Sequence, residues 1–351
     1  PIGITACGER VLFAAWEAST GLELWSSDGS EAGTTLVADI FPGPASSEPV
    51  RLTSLGDRVL FAADDGVHGI ELWASDGTPA GTALVMDIRA GVAHSIPRAF
   101  APLGDRVYFA VMDGSGFYPW TSDGTAAGTQ RLSTACTPGE RSFAVDGRVF
   151  FSCSTAAAGG ELWVTDGTTA GTVQVKDLAP GSASSYPSYF GAAAGVVFFH
   201  ATPAAIGTEL WKTDGTAAGT QLVKDIHPTL SSTPMGFTDV GGTAFFTAGD
   251  LDGEELWRSD GTTAGTVRVA DLLPGAGSSH PSYLTALGGA LLFQANDGLT
   301  GGELWTSDGT EGGTAQVVDL APGADGTPLG NQIAPLALFL GAAWLAANDG
   351  L

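Results

Sequence analysis

The stretch ELWASDGTPAGTALVMDI at residues 71–88 recurs along the chain with small changes, as in ELWVTDGTTAGTVQVKDL at residues 161–178 and ELWRSDGTTAGTVRVADL at residues 255–272. Its tryptophan marks seven copies, at Trp25, Trp73, Trp120, Trp163, Trp211, Trp257 and Trp305. Successive tryptophans are 48, 47, 43, 48, 46 and 48 residues apart. A period of this length is typical of propeller blades and of solenoid turns, in which one repeat cannot bury its own faces.

One copy contains four short β-rich runs separated by turn residues, which in the second copy are residues 49–55, 58–63, 70–75 and 82–88. No segment has the 3.6-residue period of an amphipathic helix, which disfavours helical repeats. Four antiparallel strands in each repeat are typical of a propeller blade. The sequence therefore predicts an all-β chain that forms a single β-propeller domain of four-stranded antiparallel blades over residues 1–351.

The number of blades follows from the boundaries of the copies. The repeats span approximately residues 1–48, 49–96, 97–138, 139–186, 187–233, 234–280 and 281–332, with a partial eighth at 333–351. The last segment, PLALFLGAAWLAANDGL, repeats only the first two strands. Seven complete blades are favoured, and eight blades with an incomplete last blade are the alternative. The incomplete repeat also suggests a fragment of a longer array.

The SDGT segment that follows each tryptophan has a structural explanation. Its Asp, three residues after Trp, is suited to accept backbone N–H groups in an Asx-type turn, and the next Gly can adopt positive φ. We therefore interpret the motif as the turn between the third and fourth strands. The tryptophans are expected to fill the space between adjacent blades.

These residues resemble the ELWxxDGT repeat family, tandem repeats of predicted secreted or surface bacterial proteins, over essentially the whole chain. The resemblance implies propeller-like blades and a secreted or cell-surface location, and it says little about activity. The strand layout is also similar to the blades of quinoprotein-type propellers, but residues that would hold a quinone are not identifiable. The third copy departs from the motif, because it has FYPW in place of ELW.

Composition and charge restrict the partners. The chain has 351 residues, 51 of them Gly, and its 14 Lys plus Arg against 38 Asp plus Glu give a formal charge of −24. Such a field repels nucleic acid and anionic membranes, and the longest apolar run, residues 335–347, is too short to span a bilayer. Of the three cysteines, Cys136 and Cys153 flank one turn-and-strand segment and could bridge, which would leave Cys7 odd.

Two columns of the repeat vary from copy to copy, on the face formed by the loops between copies. After the Phe of the second strand, copies 1 to 3 have Ala, whereas copies 4 to 7 have Ser152, His200, Thr247 and Gln294. The column before the Pro that opens the first strand includes Tyr186 and His280, and Tyr189 and Tyr283 lie nearby. Because a single asymmetric ligand needs a different group from each blade, we predict that these eight residues bind a neutral glycan or a protein. Neutral drift at half-exposed positions is the alternative.

Three classes of function are compatible with these features. A non-enzymatic extracellular binding or adhesion propeller is favoured, and enzymatic activity is less expected. The alternatives are a glycan-cleaving hydrolase or lyase and a structural surface array. A glycan-cleaving enzyme needs a general acid and a general base. The candidates for these roles are Glu48, Asp64, Tyr186 and His280. They form no recognisable set, and no catalytic residue is assigned.

A calcium hypothesis comes from two carboxylates in the repeat. Six copies have Glu two residues before Trp and Asp fourteen residues after it, and a symmetric hairpin would place them opposite each other, as Trp73 would face Val85. Calcium takes 6–8 oxygen ligands and would relieve the repulsion. The predicted ligand sets are Glu71, Asp87 and Asp64; Glu255, Asp271 and Asp250; and Glu303, Asp319 and Asp297. The alternative is that each carboxylate caps loop N–H groups on its own. The third copy loses both carboxylates together, to Tyr118 and Thr134.

Overall fold

The computed structural model describes residues 1–318 and two short strands at 337–339 and 342–344. Over these residues the regular secondary structure is entirely β, and no helix there is of a length and apolarity to cross a bilayer. The chain divides into two compact units, described separately below. The first unit comprises residues 1–157 and 163–174, and the second comprises residues 158–162 and 175–351.

The first unit contains three complete sheets. Sheet 1 consists of β1 (Ile2–Cys7), β2 (Arg10–Glu17), β3 (Gly21–Ser27) and β4 (Thr35–Ala38). Sheet 2 consists of β5 (Val50–Leu55), β6 (Arg58–Asp64), β7 (Ile70–Ser75) and β8 (Ala83–Met86). Sheet 3 consists of β9 (Arg98–Leu103), β10 (Arg106–Met112), β11 (Phe117–Ser122) and β12 (Gln130–Arg131). The boundary between the units falls within sheet 4, which consists of β13 (Thr137–Val145), β14 (Arg148–Thr155), β15 (Gly159–Thr165) and β16 (Val173–Lys176).

The second unit contains three further four-stranded sheets. Sheet 5 consists of β17 (Ser188–Ala193), β18 (Val196–Ala201), β19 (Glu209–Thr213) and β20 (Gln221–Lys224). Sheet 6 consists of β21 (Met235–Val240), β22 (Thr243–Asp250), β23 (Gly253–Ser259) and β24 (Val267–Arg268). Sheet 7 consists of β25 (Ser282–Leu287), β26 (Ala290–Asn296), β27 (Gly302–Ser307) and β28 (Ala315–Val318). A two-stranded sheet of β29 (Ala337–Phe339) and β30 (Ala342–Trp344) lies in the partial eighth repeat.

Within each four-stranded sheet, the strands are neighbours in chain order, so that every connection is a simple up-and-down turn. Seven such antiparallel sheets are consistent with a seven-bladed propeller, which confirms the predicted fold class. The first three strands of the second copy begin and end within one residue of their predicted bounds. The fourth strand is the exception, because β8 ends at Met86, two residues earlier than predicted.

The second strand of each sheet is buried on both faces, which explains its nearly continuous apolar sequence. In sheet 2, Phe61 packs with Leu12 and Leu24 of sheet 1, whereas Leu60, on the other face, packs with Phe109 of sheet 3. Both side chains have no exposed surface. Sheet 2 is thus sandwiched between its sequence neighbours, and the core of the first unit lies between sheets rather than within one.

The tryptophans fill these spaces between sheets in four of the copies. Trp73 contacts the sheet 1 cluster and Trp257 contacts the sheet 5 residues Phe198 and Leu210. Trp163 and Trp305 are buried in the same way. The remaining motif tryptophans, Trp25, Trp120 and Trp211, are only half-buried. The predicted burial therefore holds for four copies and is too strong for the other three.

The SDGT turn has the geometry that the sequence predicts. Asp76 Oδ1 accepts hydrogen bonds from the Thr78 N–H and hydroxyl at 2.9 and 2.7 Å, and Gly77 has a φ of +83°. A Cβ on Gly81 would overlap the Asp76 carboxylate, so that only Gly fits there. All seven copies repeat the bond from the residue two after Asp. The seven aspartates are thus used by the turn itself.

Candidate functional site

The Glu of the ELW motif is a buried clamp on the loop to the next sheet. Glu71 has no exposed surface, and its carboxylate accepts hydrogen bonds from the Ile88 N–H at 3.0 Å and from the Ser95 N–H and hydroxyl at 3.1 and 2.6 Å. The Ser95 carbonyl accepts the N–H of Met112, on the second strand of the next sheet. Glu23, Glu161, Glu209 and Glu255 make the equivalent bonds. These contacts match the capping alternative to calcium.

The hairpin that carries Glu71 is not symmetric, and the predicted facing of Trp73 and Val85 is wrong. Trp73 pairs with Leu84 and the preceding Leu72 pairs with Met86, so that Val85 is the extra residue of a bulge. Asp87 is still close enough for its charge to act on Glu71. Burial raises the pKa of the Glu71 carboxyl, and the negative charge of Asp87 raises that pKa further.

The acidic side chains of the neighbouring loops also have partners within the chain. Asp64 accepts the Gly66 N–H at 2.7 Å, and Asp297 accepts those of Leu299 and Thr300 at 2.8 and 3.0 Å. No group of three or more His, Cys, Asp or Glu in the described part of the chain is arranged to hold a metal ion. Asp319 lies outside the described residues. The calcium sites therefore stay a prediction.

Sheet 6 supplies its own cation to the predicted ligand set. The Arg268 guanidinium lies 3.5 Å from the Asp250 carboxylate and 3.6 Å from that of Asp271. In sheet 2 the corresponding residue, opposite Trp73, is Leu84. The predicted calcium sites of sheets 2 and 6 thus differ, because an arginine neutralises the aspartates in sheet 6, whereas an apolar side chain stands at that position in sheet 2.

The third copy uses a disulfide where the other copies use the carboxylate clamp. Cys136 occupies the position of the clamp serine, two residues before Pro, and it is bonded to Cys153 on β14 with Cα atoms 5.6 Å apart. Tyr118 replaces the Glu, and the Arg131 guanidinium carbon lies over the tyrosine ring, 5.0 Å from the centre of that ring. The pairing that the sequence left open is therefore present. Cys7 is a free, buried cysteine.

Three of the four residues in the polar column of the second strands have a hydrogen-bond partner within their own sheet. His200 Nε2 lies 2.8 Å from the Ser188 hydroxyl, the Thr247 hydroxyl donates to the Met235 carbonyl at 3.4 Å, and Gln294 Nε2 donates to the Gly302 carbonyl at 3.3 Å. Ser152, in sheet 4, is half-buried. The corresponding Ala14, Ala62 and Ala110 are fully buried. Three of these polar groups therefore face partners in their own sheet.

The other column has a backbone property that the sequence did not reveal. Tyr186 and His280, which precede the Pro of the first strand, have φ values of +47° and +46°. Tyr189 and Tyr283, at the bulge of the first strand, have φ values of +52° and +55°. A positive φ is uncommon for residues other than Gly and costs about 1–3 kcal/mol. These four predicted ligands thus lie in the left-handed region, and the same conformation occurs at the equivalent positions of other copies, which are Glu48, Ile96, Thr233, Arg51 and Ala99.

The loop clamp explains the first of these two positions. The Ser185 and Tyr186 N–H groups both donate to the Gly160 carbonyl, at 3.0 and 3.1 Å, which turns the chain sharply at Tyr186. The following Pro disfavours the right-handed helical region for Tyr186. A Ser-x-Pro sequence recurs in these loops, and it is the feature of the sequence from which this turn could have been predicted.

The turn leaves these side chains accessible in the second unit. Tyr186 is 65% exposed and Tyr283 is 41% exposed. The His280 imidazole is exposed and lies 3.7 Å from the Glu254 carboxylate. The Tyr189 ring packs against His200, with ring centres 4.9 Å apart. The second unit therefore presents aromatic and imidazole groups from the first strands of sheets 5 and 7.

Comparisons with known proteins identify similar folds only among solved structures. No family model and no curated protein matches the chain. A puromycin hydrolase has a TM-score of 0.46 at 16% identity, covering 99% of this chain and 58% of its own. For a Mycobacterium tuberculosis puromycin-hydrolyzing peptidase the TM-score is 0.46 at 15% identity, and the match covers 99% of this chain and 57% of the peptidase. For a structure from a study of two prolyl endopeptidases the TM-score is 0.48 at 12% identity, and the match covers 94% of this chain and 51% of the other chain. The chain thus spans between half and three fifths of the length of these proteins.

These comparisons correct the functional prediction. The solved structures in question are peptidases and a hydrolase, which contradicts both the non-enzymatic binding or adhesion propeller and the expectation that the protein is not an enzyme. At 12–16% identity the likeness itself concerns the fold. The repeated motif residues are used in turns and clamps, so that they carry no information about a reaction.

Proposed function

We propose that this chain is the propeller portion of a peptide hydrolase and that the first strands of the second unit contact the peptide substrate. One observation carries the substrate contact: positions with a left-handed backbone in several copies hold the rings of Tyr186, Tyr189, His280 and Tyr283 in the second unit, and none of the four is fully buried. The reaction class is the one that the names of the matched peptidases state.

The choice of residues at the bulge supports a functional role. The equivalents of Tyr189 and Tyr283 are Gly3 and Gly236 in sheets 1 and 6 and Arg51 and Ala99 in sheets 2 and 3, all with φ values between +55° and +71°. Glycine adopts this conformation without a steric penalty, whereas tyrosine does not. The left-handed conformation therefore belongs to the repeat, and what distinguishes the second unit is that two of these positions carry tyrosine rings.

The chemistry of these groups suits a neutral or cationic peptide. Tyrosine faces cover apolar side chains and attract Lys and Arg through cation–π interactions. His280, beside Glu254, offers a hydrogen-bond donor for a peptide carbonyl. The formal charge of −24 attracts cationic substrates over long distances and repels acidic ones.

We further propose a secreted or cell-surface location and membership of the ELWxxDGT repeat family. The disulfide between Cys136 and Cys153 supports the location, since disulfides persist mainly in oxidising compartments. The repeat motif supports the family. Finding Cys136 and Cys153 as free thiols in protein isolated from its native cells would contradict the proposed location.

The test of the substrate contact measures peptide binding by the intact chain. Binding is monitored as the fluorescence anisotropy of labelled neutral, cationic and acidic peptides. We expect the cationic peptides to bind best, and Tyr186→Ala and Tyr283→Ala each to lower the affinity about tenfold, the effect of losing about 1.4 kcal/mol. Trp16→Ala is the matched control, because Trp16 is an exposed aromatic, 69% accessible, on β2. Equal binding by all variants, or binding of none of the peptides, would refute the proposal.

A further inference from the structure

Ser188 and His200 form a side-chain pair that the repeat does not require. They lie directly opposite each other on β17 and β18, with Ser188 Oγ 2.8 Å from His200 Nε2. The equivalent cross-strand pairs are Ile2 with Ala14, Val50 with Ala62, Arg98 with Ala110, Met235 with Thr247, and Ser282 with Gln294. Among these described pairs, a hydroxyl opposite an imidazole occurs once.

The position of His200 does not need a large polar side chain for packing. Ala14 and Ala62 fill the same position with about 1% exposure each, so that a methyl group completes the core there. His200 is only 8% exposed, which means that the chain has withdrawn most of an imidazole from water. Burial of a polar ring costs free energy unless it is compensated by hydrogen bonds. A chemical role therefore explains histidine at this position better than a gain in stability does.

The backbone around Ser188 holds the pair in place. Ser188 lies between the left-handed residues Tyr186 and Tyr189, and a bulge in the β17–β18 pairing follows it directly. The Tyr189 ring packs at 53° to the His200 ring and limits its rotation. Ser188 itself is half-buried, beside the exposed Tyr186. The hydroxyl is thus positioned by strained backbone and remains accessible from the surface that we propose to contact peptides.

We propose that Ser188 is a nucleophile and that His200 is its general base. Hydrogen-bonded hydroxyl and imidazole groups at 2.6–3.2 Å are the recurring arrangement of activated serine. As the Ser188 oxygen forms a bond to an acyl carbon, its proton moves to His200 Nε2, and the departing amine or alcohol takes that proton as its bond to the acyl carbon breaks. Water then adds to the acyl-serine, its proton passes through Nε2 to the Ser188 oxygen, and the acid is released.

The inference extends the proposed function, and it rests on that function only for the class of substrate. Its test uses a fluorophosphonate probe, which phosphonylates activated serines and displaces fluoride. The intact chain is incubated with the probe, and the modified residue is located by mass spectrometry of its peptides. We expect a single adduct at Ser188, none in Ser188→Ala, and a labelling rate that is 10²- to 10⁴-fold lower in His200→Gln, the usual contribution of a general base.

Ser282 provides a matched control within the same unit. It occupies the same register position on β25 but faces Gln294, an amide that cannot act as a base. Ser282→Ala should therefore leave labelling unchanged, and far-ultraviolet circular dichroism should confirm that every variant is folded. Absence of an adduct on the folded wild type, equal labelling of Ser188 and Ser282, or an unchanged rate in His200→Gln would each overturn the inference. None of these results depends on peptide binding by Tyr186 and Tyr283, so that the two proposals can fail separately.

Discussion

The loop after β8 and the loop after β12 are attached to the next sheet by different chemistry. After β8, the buried Glu71 carboxylate holds Ser95 through hydrogen bonds, and after β12 the disulfide of Cys136 and Cys153 takes its place. The carboxylate and its serine are lost together in the third copy, together with five residues of repeat length. The comparison shows that this point of the repeat has to be fastened, whereas the means of fastening can change. One clamp responds to pH and the other to reductant.

Removing the disulfide tests this comparison most strongly. The bond closes a loop with a sequence separation of 17 residues. Loops of about this length correspond to about 3 kcal/mol of unfolding free energy. We therefore expect Cys136→Ser combined with Cys153→Ala to lose about 3 kcal/mol in urea denaturation, because a serine at 136 has no Glu partner in this copy. Reductant should lower the stability of the wild type and leave that of the double variant unchanged; a reductant-insensitive wild type would contradict the clamp role.

Calcium provides a test of the two carboxylate clusters against each other. At about 100 times its dissociation constant, calcium bound only to the folded state would add about 2.7 kcal/mol per site. We expect a higher melting temperature in millimolar calcium than in excess chelator. Because Arg268 already neutralises Asp250 and Asp271, Arg268→Leu, which copies Leu84 of sheet 2, should enlarge the response. Identical melting temperatures in calcium and in chelator would contradict the predicted calcium sites.

Glu71→Gln should change the unfolding free energy somewhat less than loss of the disulfide or binding of calcium does. The amide keeps one acceptor oxygen but places an NH₂ group against the N–H donors of Ile88 and Ser95. We expect a loss of about 2 kcal/mol in unfolding free energy, since hydrogen bonds to charged groups contribute about 1.5–3 kcal/mol. Glu31→Gln, at an exposed turn position, is the matched control and should be neutral. An equal effect at both positions would show that Glu71 is not a clamp.

The pH dependence of stability should show the smallest effect, with opposite signs for the two classes of carboxylate. Burial raises the pKa of Glu71, so that the folded state retains the proton and stability falls as pH rises from about 4.5 through the raised pKa. The hydrogen bonds from Thr78 lower the pKa of Asp76, whose contribution is lost as pH falls below 3.8. Urea denaturation between pH 3 and 7 checks both slopes. Glu71→Gln should reduce the upper slope, and a stability that rises steadily from pH 4.5 to 7 would contradict this assignment.

The sequence indicated the location of Ser188 and His200 only in part. His200 was selected because its column changes from alanine to polar groups, whereas Ser188 had no feature that distinguished it. Their contact depends on a register between β17 and β18 that includes a bulge. Because a shift of one residue moves a side chain to the opposite face of a sheet, the repeat pattern alone could not pair them.

The repeat, its strands and the SDGT turn could be derived from the sequence alone, because they depend on interactions within a few residues. Asp76 reaches Thr78 two positions away, and strand alternation follows from the period of the backbone. The role of Glu71 and the left-handed conformation of Tyr186 were decided only by the tertiary structure. Both depend on bonds to residues 17 to 26 positions away and on burial between sheets. Glutamate is mostly exposed in proteins and tyrosine is intermediate in burial, so that their identity in the sequence did not reveal that Glu71 is enclosed and that Tyr186 has a left-handed backbone.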